Sequence, residues 1–374
     1  MAKKARVLVS VTNDLYTDQR VHKVCMFLLS QGYEVQLIGR RRRSSVPLPK
    51  RPYSTVRMPL LFEKGALFYA FFNLRLFLRL FFSRADILLA NDLDTLLANH
   101  WAKKFKRKAR LVYDSHEYFT EVPELIHRPK VRKIWLRIEE RIFPKLKDVY
   151  TVNESIASIY AEKYNREVKV VRNISPKWTS DSISSKSELG IPEGKKLLIM
   201  QGAGINVERG GEEAVEAMKE IDAVLMIVGD GDVVPQLKVQ VQKEGLQDKV
   251  LFFGKRPYDE LMQFTYHADI GLTLDKPDSG NYKFSLPNKV FDYMHTNTAI
   301  VATEILEVAK VVRKWDIGTV VHPFGVKELS NTINDLLNDS ERLSTYKSNC
   351  EKAAESENWE SETAILQEIY PKVE

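Results

Sequence analysis

Short apolar runs alternate with helix-spaced apolar patterns along almost the whole chain, which is the arrangement of parallel α/β sheets. In the first half the runs predict strands at residues 5–11, 33–39, 85–91, 109–115, 148–153 and 168–173. A second series follows at 195–202, 223–231, 250–255, 268–274, 298–303 and 317–323. Between strands, a stretch such as "DQRVHKVCMFLLSQG" (18–32) carries apolar side chains at helical spacing and stops at Gly32, a residue that tolerates positive φ. The segment 174–194, "ISPKWTSDSISSKSELGIPEG", is rich in Ser and Pro without periodicity and reads as a linker. The fold class is therefore α/β, two doubly wound parallel sheets over 1–173 and 174–355, with ligands expected at the carboxyl ends of the strands and in an interdomain cleft.

One segment departs from the alternation. In "ALFYAFFNLRLFLRLFF" (66–82) only Asn73, Arg75 and Arg79 are not apolar. It is slightly short for a spanning helix, and each arginine would cost a few kcal/mol at a bilayer centre, so spanning is not expected. The two arginines are four apart and share a face. The helix is then either buried in the first domain or presses an aromatic surface into a lipid interface, among basic neighbours that include Lys130, Arg132, Lys133 and Arg137.

Composition narrows the classes. A length of 374 residues fits two domains. With 44% hydrophobic and 28% charged residues, wholesale disorder and an integral membrane bundle are both disfavoured. The two cysteines, Cys25 and Cys350, lie far apart with no CxxC or His/Cys cluster, against a disulfide framework or zinc site. The first residues run into a strand without an apolar leader, so a cytoplasmic protein is expected. The net charge of +6 hides an asymmetry: residues 1–172 hold 34 Lys/Arg against 17 Asp/Glu, a net of +17, and the remainder nets −11. A basic half signals nucleic acid, anionic lipid or a phosphorylated substrate, or else a solvated surface. Its cations are not interleaved with the aromatic pattern of an RNA-binding sheet, so no nucleic acid is expected.

Several strand ends carry chemistry. In "QGAGINVERGGEEAVEAM", Gly202 and Gly204 allow close backbone approach, and Arg209 precedes Gly210, Gly211 and a helix start, where a phosphate could sit. The spacing is neither GxGxxG with a ribose acid nor GxxxxGK[ST], and a Gly-rich turn with a surface Arg is the alternative. Gly229 and Gly231 in "VLMIVGDGD" offer a second backbone approach. Lys255, Arg256 and Pro257 follow a strand, either facing a nucleobase or making an ordinary turn. In "SLPNKVFDYM", Ser285 is placed as a helix cap, Leu286, Pro287 and Asn288 at the helix entry, and Lys289 and Asp292 on one face. A lysine in a first turn opposes the helix dipole unless an anion is near. A diphosphate at Lys289 and a ribose at Asp292 would supply that anion; a plain Lys–Asp surface pair is the alternative. In the first half, Asp114, His116 and Glu117 end one strand, and loops bearing Asp14, Asp18 and Arg20, and Asp92 and Asp94, reach the same edge. Neither a Ser-His-Asp elbow nor a metal cluster is evident.

These stretches, with "DQRVHKVCMFLLSQGYEV", "ADILLANDLDTLLA", "LVYDSHEYF", "YTVNESIASIYAEKY", "VKVVRN", "VLFFGKRPYDEL" and "ADIGLTL", occur in the order seen in the GT-B glycosyltransferases of family four, which the chain resembles over most of its length. The resemblance implies two Rossmann-like domains about a cleft and a retaining, metal-independent transfer of a hexosyl group from a nucleotide-diphosphate sugar, of the UDP or GDP type, with no cofactor. It implies that Arg209 and Lys289 neutralise the leaving diphosphate, that Asp292 binds the ribose, and that His116 lies near the donor sugar. Gly202, Gly204, Gly229, Lys255, Arg256, Pro257 and residues 285–288 would then line the donor site, with Asp18, Arg20, Asp92 and Glu117 on the acceptor side. The expected acceptor is lipid-linked or polysaccharide, met at the inner face of the cytoplasmic membrane. The family often has an acid eight residues before the ribose acid; here that position is Phe284, and Asp replaces the commoner Glu at 292. The closing segment resembles a terminal helix, about 356–374, that returns to the first domain. A GT-B UDP-sugar 2-epimerase and a catalytically degenerate binding subunit are the alternatives.

Overall fold

The computed structural model describes residues 4–16, 18–122, 125, 127–180, 182–276 and 282–373. The chain forms two compact units, Met1–Arg172 with Glu362–Glu374, and Asn173–Ser361. In the first, β1 (Arg6–Ser10), β2 (Glu34–Arg41), β3 (Ser54–Pro59), β4 (Ile87–Asn91), β5 (Arg110–Ser115), β6 (Asp148–Thr151) and β7 (Lys169–Val170) are ordered β3-β2-β1-β4-β5-β6-β7. In the second, β8 (Leu197–Gly202), β9 (Val224–Gly229), β10 (Val250–Phe252), β11 (Ile270–Thr273), β12 (Ala299–Thr303) and β13 (Gly318–Val321) are ordered β10-β9-β8-β11-β12-β13. All strand pairs are parallel. The α/β class read from the sequence is the observed one.

Period-two alternation explains why the second sheet needs cover on both faces. Leu198, Leu225, Ile227 and Val301 enter one apolar core, while Leu197, Ile199, Met226 and Ile300 enter the other. The strand order reverses between β1 and β4 in one unit and between β8 and β11 in the other. Loops leaving adjacent strands part at such a switch point and open a crevice at the carboxyl edge.

Strand β3, "STVRMP", is absent from the predicted series. It sits at the sheet edge, carries Arg57 and ends at Pro59, so one side only needs apolar residues and a terminal proline is tolerated. The helix Gly65–Phe82 buries Phe68, Phe72, Leu76 and Leu80 in the first unit, each four residues from the next, and exposes Leu67, Leu74, Leu78, Phe81 and Phe82. The linker contains no strand or helix among its described residues, yet Ile174 and Ile191 are buried in the second unit's core. The last helix, Trp359–Ile369, begins in the second unit and ends in the first.

Candidate active site

In the second unit the loop after β8 is fixed before any ligand arrives. Ile205 N–H donates to Asp230 O at 3.0 Å, and Asp230 N–H to Gly202 O at 3.1 Å. A Cβ at Gly229 would lie 1.9 Å from Gly202 O, and one at Gly231 2.0 Å from Ile205 O. These two glycines therefore serve loop-against-loop packing. At Gly204 a Cβ would meet nothing nearer than Asn206 Nδ2 at 3.8 Å, so backbone approach there stays open; Gly202, at φ 139°, sets the turn into it.

Arg209 follows in the same loop. Lys276 N–H donates to Glu208 O at 2.9 Å, tying the loop to the end of β11, and Glu208 is held at φ 65°. Backbone in that region is sparsely populated and persists where surrounding structure demands it. The Arg209 guanidinium pairs with Asp275 (Nη1–Oδ2 3.0 Å) and stacks over Tyr282 at 4.4 Å. Asp275 is 1% exposed. Among the described residues Asp275 Oδ1, Arg209 Nε and Ser285 Oγ are buried without a partner. Lys289 is half-buried and makes no ion pair among the described residues. Burial lowers its ammonium pKa, the Asp275 carboxylate opposes that, and Arg209 adds to the lowering. Arg209 is thus paired with a buried carboxylate at the β8/β11 switch point, and Lys289 lies where the charges of both act on it. The patch carries one excess positive charge and unsatisfied donors, a setting that an anion would complete.

The rest of the "SLPNKVFDYM" stretch behaves differently from its sequence reading. Ser285 does not cap; Asn288 is the N-cap of the helix Lys289–His295 and makes no side-chain cap bond. Leu286 packs partly buried against the core, and Pro287 O accepts from Val290 N–H at 3.1 Å. Asp292 is buried and accepts from Ser175 Oγ (3.1 Å), Tyr258 Oη (3.0 Å) and Gln201 Nε2 (3.1 Å). Three protein donors use most of a carboxylate's capacity, and through them Asp292 anchors the linker start to β8. Arg256 is committed to Phe253 O at 2.9 Å and Glu260 Oε1 at 3.0 Å. Lys255 is exposed, and Pro257 is the N-cap of the helix Tyr258–His267. Phe284 is half-buried beside Lys283, 5.7 Å from its ring.

In the first unit a second constellation occupies the β1/β4 switch point. Asp92, at φ 59°, accepts from His116 N–H at 2.7 Å and lies 3.3 Å from His116 Nδ1. His116 Nε2 approaches Asn91 Oδ1 (3.1 Å) and Asp114 Oδ2 (3.2 Å). Burial works against the imidazolium, but Asp92 and Asp114 outweigh it and raise His116 to about 9. Burial raises Asp94 to about 7 although Thr12 Oγ1 donates to it at 2.6 Å. Arg20 is 4% exposed and grips Asp114 with Nε (3.1 Å) and Nη2 (2.7 Å), while its Nη1 donates to Val171 O (2.9 Å). It orders the site from beneath, which corrects its placement among acceptor contacts. Asp18 caps the helix Gln19–Ser30, accepting from Val21 N–H at 3.1 Å. Glu117 is half-buried, its carbonyl accepting from Ser115 Oγ at 2.8 Å.

Sequence reasoning missed Asp275 and Tyr282. An acid directly after "ADIGLTL", at a strand's carboxyl edge, was the available signal for the first; the second had none.

Residues 181–354 match the family described as Glycosyl transferases group 1, and residues 18–174 match Glycosyltransferase Family 4. The N-acetyl-alpha-D-glucosaminyl L-malate synthase of Bacillus anthracis is 26% identical over 214 residues, 55% of this chain and 53% of that protein. The match thus spans about half the length of that relative. Sucrose-phosphate synthase from Thermosynechococcus elongatus superposes with a TM-score of 0.78 at 17% identity, covering 98% of each chain. Anabaena HepE in complex with UDP and glucose does so at 0.70 and 17% identity, again over 98% of each chain. With one sheet unit under each of the two family matches and the whole fold shared, the chain belongs to the family-four-like GT-B glycosyltransferases.

Proposed function

We propose that this glycosyltransferase moves a hexosyl group from a nucleoside diphosphate sugar to a lipid-linked or polysaccharide acceptor, with retention and without a metal ion. The observation that carries the donor class is the Arg209–Asp275 pair with Arg209 Nε and Ser285 Oγ buried and unpartnered, beside Lys289, which feels the charge of both. A diphosphate placed there would accept from Arg209 Nε, from Lys289 and from Ser285 Oγ, the groups left without partners. As the bond from the anomeric carbon to the β-phosphate oxygen breaks, charge develops on that oxygen, and fixed cations in a desolvated patch stabilise it most at that moment. They supply the charge that a divalent ion would otherwise bring. Asp275 is a positioning residue: it holds Arg209 in place and sustains the charge of Lys289 against burial. HepE was solved with UDP and glucose, which supports the same donor type here. His116 is kept charged by its two aspartates.

Titration calorimetry with UDP and GDP tests the reading. Lys289→Met should weaken nucleotide binding by about 1.5–3 kcal/mol, the range of a hydrogen bond to a charged group, and Asp275→Asn should weaken it less while lowering turnover. Sugar release in EDTA should match that without it. Equal affinity of wild type and Lys289→Met for both nucleotides would sink the proposal.

A further inference from the structure

The helix Gly65–Phe82 has an exposed apolar face opposite its buried one. Leu67 is 62%, Leu74 53%, Leu78 44% and Phe82 81% exposed, and Phe105, itself 62% exposed, packs on Phe81 at 5.2 Å. A contiguous apolar surface of this kind marks an interaction site.

Its surroundings define the partner. Glu63 is the sole acid in residues 61–82, and from Trp101 to Lys108 five of eight residues are Lys or Arg and none is acidic. Trp101, 50% exposed, lies among them with Lys104 5.2 Å from its ring. Beside the apolar face is a groove of about 450 Å³ lined by Arg57, Met58, Pro59, Arg75, Leu78 and Arg79. Arg57 is paired with Asp14, and Arg75 Nη1 donates to Pro59 O at 2.6 Å. Arg79 makes no hydrogen bond or ion pair among the described residues. Exposed Leu and Phe beside unpaired cations and a Trp match the two layers of an anionic membrane surface, acyl chains below and phosphates above.

We propose that this face docks the protein on an anionic bilayer, with the exposed leucines and Phe82 in the acyl boundary and Arg79 at the lipid phosphates. The helix lies in the interface and does not cross it, because Phe68, Phe72, Leu76 and Leu80 remain packed in the first unit. The inference stands on this surface alone, apart from the donor-site reading, though a membrane-held acceptor would fit both.

Cosedimentation of the full chain, without nucleotide or sugar, with vesicles of phosphatidylcholine alone and of phosphatidylcholine mixed with phosphatidylglycerol is the test. Binding should be strong to the mixed vesicles, weak to the neutral ones, and reduced by salt. Leu78→Ser and Phe82→Ser should each weaken it by about tenfold through lost apolar burial, and Arg79→Glu by about tenfold through charge, with the thermal midpoint and UDP affinity unchanged. Equal retention on both vesicle types, retention indifferent to these substitutions, or a dimer that Phe82→Ser dissociates would overturn it. Loss of UDP binding with vesicle binding intact would instead count against the donor site only.

Discussion

Asp114 is completely buried, and it stays charged because Arg20 and His116 together outweigh that burial and hold it down to about 2. A lone buried carboxylate would neutralise. The same aspartate helps keep His116 protonated, so Arg20, by holding Asp114 charged, acts on the ring through it. The folded state therefore binds more protons than the unfolded chain at Asp94 between roughly pH 4 and 7, and at His116 between roughly pH 6.5 and 9. Both contributions make stability fall as pH rises through those windows; Asp114 acts oppositely, losing stability as pH falls toward 2. Asp92→Asn removes the stronger of the two countercharges on the ring. It should bring the His116 midpoint down from about 9 toward its unperturbed value, read from the imidazole carbon-bound protons by NMR. A midpoint unmoved by the substitution would mean that Asp114 alone charges the ring.

At the scale of elements, what was legible in the sequence is what repeats. Buried parallel strands are apolar on both faces, so β4, "ILLAN", and β9, "VLMIVG", announce themselves. Edge strand β3 has one face to bury and does not. Arg209 and Lys289 drew notice because they stand at helix starts, where a positive side chain is otherwise out of place. The hydrogen bonds of Asp292 were not legible because its partners are remote: it bonds to Ser175, 117 residues away, and Gln201, 91 away. No local spacing encodes such pairs. The helix Gly65–Phe82 shows the same limit, since its composition is nearly uniform and only packing distinguishes the faces. Leu76→Ala, on the buried side, should destabilise by about 2–5 kcal/mol, and Leu78→Ser, half a turn away, by no more than about 0.5 kcal/mol. Urea denaturation compares them, and similar losses would mean that both faces are covered in the folded protein.

At the scale of the whole molecule the two units differ in how they are closed. The second carries its own two cores within Asn173–Ser361. The first depends on the far end of the chain. Glu362, 3% exposed, accepts from Arg172 N–H (2.6 Å), Nε (2.9 Å) and Nη2 (2.5 Å). Arg110 Nη2 reaches Ile369 O at 2.9 Å, Tyr33 Oη reaches Pro371 O at 2.7 Å, and Val373 N–H reaches Gln31 O at 2.9 Å. Leu366 and Tyr370 are wholly buried. Glu362→Ala would remove the charged hydrogen bonds from Arg172, at a cost of about 1.5–3 kcal/mol. Because the contacts belong to one unit, calorimetry of Glu362→Ala should show the first unit's transition shifted down and the second's in place. The proposed donor site lies within the second unit, so on that proposal UDP affinity should persist at temperatures where the first has melted. A single transition that moves as a whole would mean instead that the units unfold as one cooperative body despite their separate cores.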